Sequence, residues 1–70
     1  MQLREYLERE NLTQHQFIDL CEMATGIYVP QGTLAKWILG VRIPRKKQME
    51  MIYKITEGQV VPNDFYTLEE

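Results

Sequence analysis

One cysteine and one histidine in 70 residues leave little room for metal or thiol chemistry. Cys21 has no second cysteine to form a disulfide with, and with His15 alone it falls short of the four ligands of a structural zinc site. Long apolar runs are missing too, and none approaches the roughly 18 residues that mark a membrane span. The N-terminus is mixed in charge and has neither the apolar stretch nor the small-residue cleavage site of a signal peptide. A reducing, intracellular compartment is therefore expected, with no membrane partner. There is no glycine-rich phosphate loop, no paired-carboxylate site and no nucleophile with a base held near it. These absences argue against an enzyme, a cofactor, a metal or a small-molecule substrate. The length allows one domain, taken as residues 1–70, with a small core.

An excess of positive charge is also missing, since the net charge is −2. The distribution is more informative than the sum. Residues 1–35 carry Arg4 and Arg9 against Glu5, Glu8, Glu10, Asp19 and Glu22, a net −3. Residues 36–54 carry Lys36, Arg42, Arg45, Lys46, Lys47 and Lys54 against Glu50, a net +5. Residues 55–70 carry Glu57, Asp64, Glu69 and Glu70, a net −4. A basic segment thus lies between two acidic ones. Taken alone, such a segment is as well explained by a solvated helix face as by an anionic partner.

What the chain does have is helical periodicity. Leu3, Tyr6 and Leu7 recur at i, i+3, i+4 and predict a helix over about 2–10, stopped by Asn11. Thr13 and Gln16 have the spacing of a capping box, opening a helix over 13–23 with Phe17, Leu20 and Cys21 inward and Leu12 as a staple. A break follows over Ala24–Pro30. A third helix is predicted over 31–39, with Leu34, Trp37 and Ile38 on its inner face and Gly40 as its stop. A fourth covers about 45–56, with Met49, Ile52, Tyr53 and Ile55 or Thr56 inward and Met51 on the surface. Gly58 ends it. The tail Val60-Val61-Pro62-Asn63-Asp64-Phe65-Tyr66 is read as extended, with room for one helical turn, packing back on the core. The fold class is all-α, a compact bundle of four to five helices.

Two stretches carry more than periodicity. They are Leu12-Thr13-Gln14, and Val29-Pro30-Gln31-Gly32-Thr33-Leu34-Ala35-Lys36-Trp37-Ile38-Leu39-Gly40-Val41-Arg42-Ile43-Pro44. Together they resemble the lambda-repressor-like, Cro-type helix-turn-helix family of phage, plasmid and bacterial regulators. The first resembles the opening of that family's second helix. The second resembles its recognition helix and the Gly-x-Arg-x-Pro loop after it. The resemblance implies a helix-turn-helix over 13–39 in a lambda-repressor-like bundle. It further implies a sequence-specific double-stranded DNA-binding transcriptional regulator, a repressor in the first instance, in the bacterial cytoplasm or nucleoid. The chain departs from the family in two ways. Ten residues separate Ile18 from Val29 where about four are usual, so either the turn is longer or the second helix gains a turn. Pro30 also stands where a capping Ser or Thr is usual, leaving the first amides of the third helix open to another acceptor such as a phosphate.

A major groove about 12 Å wide admits one helix, entered by its N-terminal end. On that reading Gln31 and Lys36 meet base edges, with Gly32 allowing close approach. Thr33 meets a phosphate or a thymine methyl, and Gln14 resembles the family's phosphate-contacting glutamine. Arg42, Arg45, Lys46 and Lys47 lie along the backbone, Arg45 near a minor groove. Trp37 and Met49 are read as core and Cys21 as a buried small hydrophobe. His15 is exposed, either as plain surface or as a DNA contact. Tight binding by so small a domain implies a homodimer on a near-palindromic site. Val60, Val61, Phe65 and Tyr66 are the expected dimer contact. The alternative is a non-enzymatic protein-interaction module that reuses the same fold. The acidic balance favours it, and titration with duplex DNA at two salt concentrations separates the two.

Overall fold

The computed structural model describes residues 1–65. Four helices follow in order: α1 (Leu3–Arg9), α2 (Gln14–Thr25), α3 (Gln31–Leu39) and α4 (Lys46–Ile55). A single 3-10 turn covers Pro62–Phe65. Among the described residues there is no strand, and the fold is all-α. α2 packs against both α3 and α4, and α1 against α3. The radius of gyration, 11.0 Å, is that of a compact chain of this length.

Each boundary has a local cause. Asn11 adopts φ 57° after α1, the left-handed conformation an asparagine tolerates. The Leu12 amide then donates to the Leu7 carbonyl at 2.9 Å, closing the helix end. The expected box opens α2. Gln16 N donates to Thr13 Oγ1 at 3.1 Å, and Thr13 N donates to Gln16 Oε1 at 2.8 Å. α3 ends at Gly40, φ 81°, with the Val41 amide donating to the Lys36 carbonyl at 3.0 Å. Gln48 Oε1 accepts from the Arg45 amide at 2.9 Å and caps α4.

The buried set includes Leu3, Tyr6 and Leu7 from α1, Phe17, Ile18 and Cys21 from α2, Leu34 and Trp37 from α3, and Met49, Met51 and Ile52 from α4. Val29, Val60 and Phe65 complete it from the connections. Among the described residues Thr56 is the buried polar one, and its hydroxyl is satisfied. It donates to the Ile52 carbonyl at 2.8 Å and accepts from the Val60 amide at 3.1 Å. That bridge ties the tail to the end of α4.

Several expectations are corrected. Met51 is buried, 3% exposed, and Tyr53 faces outward at 51%. Leu20 lies on the surface and Ile18 takes its inward place. α1, α2 and α4 differ from their expected bounds by one or two residues at an end, whereas α3 spans the expected Gln31–Leu39. The extra residues after Ile18 mostly lengthen α2, which continues to Thr25 before Gly26 stops it at φ 76°. Val60 and Phe65 are buried in the chain's own core, so they offer no surface to a second copy. Val61 is half-buried, and Tyr66 lies outside the described residues.

Candidate nucleic-acid interface

The N-terminal turn of α3 is built unlike the others. Its N-cap is Pro30, whose side chain makes no capping hydrogen bond. The amides of Thr33 and Leu34 both donate to the Pro30 carbonyl at 3.0 Å. The two amides before them, of Gln31 and Gly32, have no side-chain cap. Such an end carries partial positive charge and favours an anion.

Gln31, Gly32 and Lys36 are all exposed on α3. Gln31 Nε2 lies 3.5 Å from Gln14 Oε1, at the long end of hydrogen bonding, so the openings of α2 and α3 meet. Gly32 has no reason inside the protein to be glycine. Its φ is not in the left-handed range, and a Cβ built there meets nothing within 4 Å. Glycine in a helix is up to about 1 kcal/mol less favourable than alanine. The fold therefore bears this cost without needing it.

Gly40 reverses the chain so that the following loop returns alongside α3. A concavity of about 390 Å³ results, lined by Pro30, Thr33, Trp37, Arg42, Ile43, Arg45 and Gln48. Two guanidinium side chains, a hydroxyl and an amide thus share one space with the uncapped end of α3. Of the four expected backbone-contacting cations, Arg42 and Arg45 are brought together here. Lys46 and Lys47 are not. Lys46 borders a second groove with Pro44, Met49, Glu50, Tyr53 and Pro62. Lys47 lies on the other flank of α4 with Thr25, Ile27, Glu50, Met51 and Lys54. Adjacent helical positions are about 100° apart, which explains the divergence. Among the described residues the ion pairs join the Met1 amine to Asp64 and Arg9 to Glu10, and none involves Lys36, Arg42, Arg45, Lys46 or Lys47.

Pro30, singled out in the sequence for its missing cap, is also a wall of this concavity, whereas Gln48 was missed. The Arg45-x-x-Gln48 spacing is the signal that locates Gln48, since it repeats the capping pattern of Thr13 and Gln16. Exposed Tyr28, just before α3, was also passed over. His15 is exposed beside Gln14.

Cys21 is fully buried, and burial pushes its thiol up to about 11, so at neutral pH it remains protonated. Among the described residues no group of three or more His, Cys, Asp or Glu side chains is placed to hold a metal. No described helix is long and apolar enough to cross a membrane. Comparison of the chain with protein-family models, with curated proteins and with solved structures returns no match.

Proposed function

We propose that this protein is a sequence-specific double-stranded DNA-binding regulator of the helix-turn-helix kind, with α2 and α3 as the two helices and α3 as the reading element. One observation carries the reading. An uncapped α3 N-terminus, with exposed Gln31, Gly32 and Lys36, lies beside a concavity that gathers Thr33, Arg42 and Arg45. Gln31 and Lys36 supply donors and acceptors for base edges. The concavity supplies hydrogen bonds and charge for a backbone phosphate, which positions the helix without reading sequence. The resemblance to lambda-repressor-like regulators assigns the same roles to the same residues. Repression and a cytoplasmic or nucleoid location are part of this reading.

Specificity is tested by selecting from randomised duplexes. A good bidentate base contact discriminates by about 1–3 kcal/mol. Gln31→Ala and Lys36→Ala will each relax the selected motif at a different base pair, with little change in thermal stability. Recovery of the wild-type motif by both variants would remove α3 as the reading element.

Gly32→Ala gives a test in which two readouts move apart. Cβ has open space, so the helix gains up to about 1 kcal/mol and the melting temperature rises. The added methyl stands between α3 and the groove, so DNA affinity falls. A variant that is both more stable and equally tight in binding would show that nothing approaches this position.

A further inference from the structure

Gly26 ends α2 and Pro30 opens α3, and the short segment between them is pinned to the core. Thr25 Oγ1 donates to the Cys21 carbonyl at 2.7 Å and accepts from the Ile27 amide at 3.3 Å. Ile27 packs half-buried against the core, and Val29 lies within it at 1% exposed. Tyr28, between them, is 62% exposed. Exposure thus alternates from Ile27 to Pro30, the pattern of an extended segment in which residues i and i+2 share a side. Tyr28 therefore emerges on the side of Pro30, which walls the concavity holding Thr33, Arg42 and Arg45. Of the large apolar side chains exposed among the described residues, Tyr28 and Tyr53 carry a hydroxyl, and Tyr53 lies on α4. Tyr28 is the one that brings a donor to the open end of α3. Its hydroxyl has no hydrogen-bond partner among the described residues.

We propose that Tyr28 is a further DNA-backbone contact, its hydroxyl donating to a phosphate at the edge of the groove that α3 enters. The inference rests on the regulator reading given above and adds a residue to it. A tyrosine suits the role, because its rigid ring has two side-chain torsions and is ordered at small entropic cost. Donation to an ionised phosphate oxygen is charge-assisted and stronger than a bond between neutral groups. Ile27 and Val29, anchored on either side, hold the ring outward before any partner arrives. The resemblance to lambda-repressor-like regulators assigns this position no role. Tyr28 is the last of the ten residues between Ile18 and Val29 where about four are usual, so it belongs to the stretch that this chain adds. An uncharged side chain on the backbone positions the protein without reading sequence, and it releases no counterion of its own. Tyr28 is thereby distinct from Gln31 and Lys36, which read, and from Arg42 and Arg45, which set the salt dependence.

Tyr28→Phe removes the hydroxyl and leaves the ring. It will weaken binding roughly tenfold, both to a duplex selected from random sequence and to a scrambled duplex of the same length. The slope of log K against log[salt] and the melting temperature will stay at their wild-type values. Replacing the phosphates of the selected duplex one at a time by methylphosphonate then locates the partner. At one position per bound chain the wild type will lose roughly tenfold and Tyr28→Phe will lose little more, the non-additivity of a pair already broken. The proposal is overturned by a Tyr28→Phe that binds as wild type does, by a loss confined to the selected duplex, or by losses that add at every phosphate. A fall in melting temperature that accounts for the weaker binding would overturn it too, by making Tyr28 part of the fold. A wild-type protein that binds neither duplex overturns the regulator reading and this inference with it. A wild type that binds both, with Tyr28→Phe equal to it, overturns this inference alone.

Discussion

Trp37→Ala will leave this domain without a stable fold. Trp37 is 3% exposed, in the core shared by Leu34 of the same helix and Phe17, Cys21 and Ile52 of its neighbours. Removing a buried tryptophan side chain costs about 3–5 kcal/mol, through lost transfer energy and the cavity left behind. At about 0.05–0.15 kcal/mol per residue, a chain this size has only about 4–10 kcal/mol in total. The loss takes about a third to a half of the upper figure and most or all of the lower one. Trp37 also walls the concavity that holds Arg42 and Arg45, so whatever structure survives loses one side of the proposed phosphate site too. Thermal and denaturant unfolding followed by circular dichroism will show no cooperative transition at 25 °C, or one shifted to very low denaturant. Trp37→Phe, which keeps an aromatic in the site, will recover most of the midpoint. A Trp37→Ala protein within about 1 kcal/mol of wild type would mean the side chain is not part of the core.

The second large effect is on affinity. Arg42 and Arg45 face one concavity with no carboxylate partner among the described residues, so both are available to phosphates. Each phosphate contact releases counterion, and the slope of log K against log[salt] changes by about 0.9 per contact on duplex DNA. Arg42→Ala with Arg45→Ala will reduce that slope by nearly two per chain bound. It will also weaken binding on every sequence alike. Titrations from low to physiological salt, against a selected site and a scrambled duplex, supply both numbers. The variant is expected to keep its fold, because both side chains are exposed. A double variant with wild-type slope would return these arginines to the solvated surface and favour the protein-interaction alternative.

How far the sequence determined these expectations varies from place to place. The opening of α2 was legible because its cap is local. Thr13 and Gln16 satisfy each other's backbone amides, whatever else the chain does. Asn11 and Gly40 were legible for the same reason, each accommodating a positive φ. The flanks of α4 were not. Met49, Ile52 and Thr56 define the middle of its inner face, and periodicity leaves Met51 on one flank and Tyr53 on the other. Which flank is covered depends on a distant segment. Met51 falls on the flank that faces Thr25, at the end of the longer α2, and Ile27 just after it, and is buried there, while Tyr53 is left outside. Likewise α2 contacts both α3 and α4, which widens its buried face from Phe17 and Cys21 to Ile18 and leaves Leu20 out. In the candidate site, residue types at fixed spacing located α3 and its exposed polar residues. That Arg42 and Arg45 converge while Lys46 and Lys47 separate depends on where the loop after Gly40 returns, which no pattern of types encodes.

Pro30 has a thermodynamic consequence. Its ring holds φ at −61° immediately before α3, and Gly26 sets the other end of the same short connection. The orientation in which α3 leaves that connection is therefore restricted before any partner arrives. A capping serine would stabilise the helix end by enthalpy while leaving the backbone free to rotate in the unbound state. Proline instead removes that freedom in advance. On the DNA-binding reading proposed above, docking then orders little main chain, and the entropy change on binding is dominated by released ions and water rather than by stiffening of the protein.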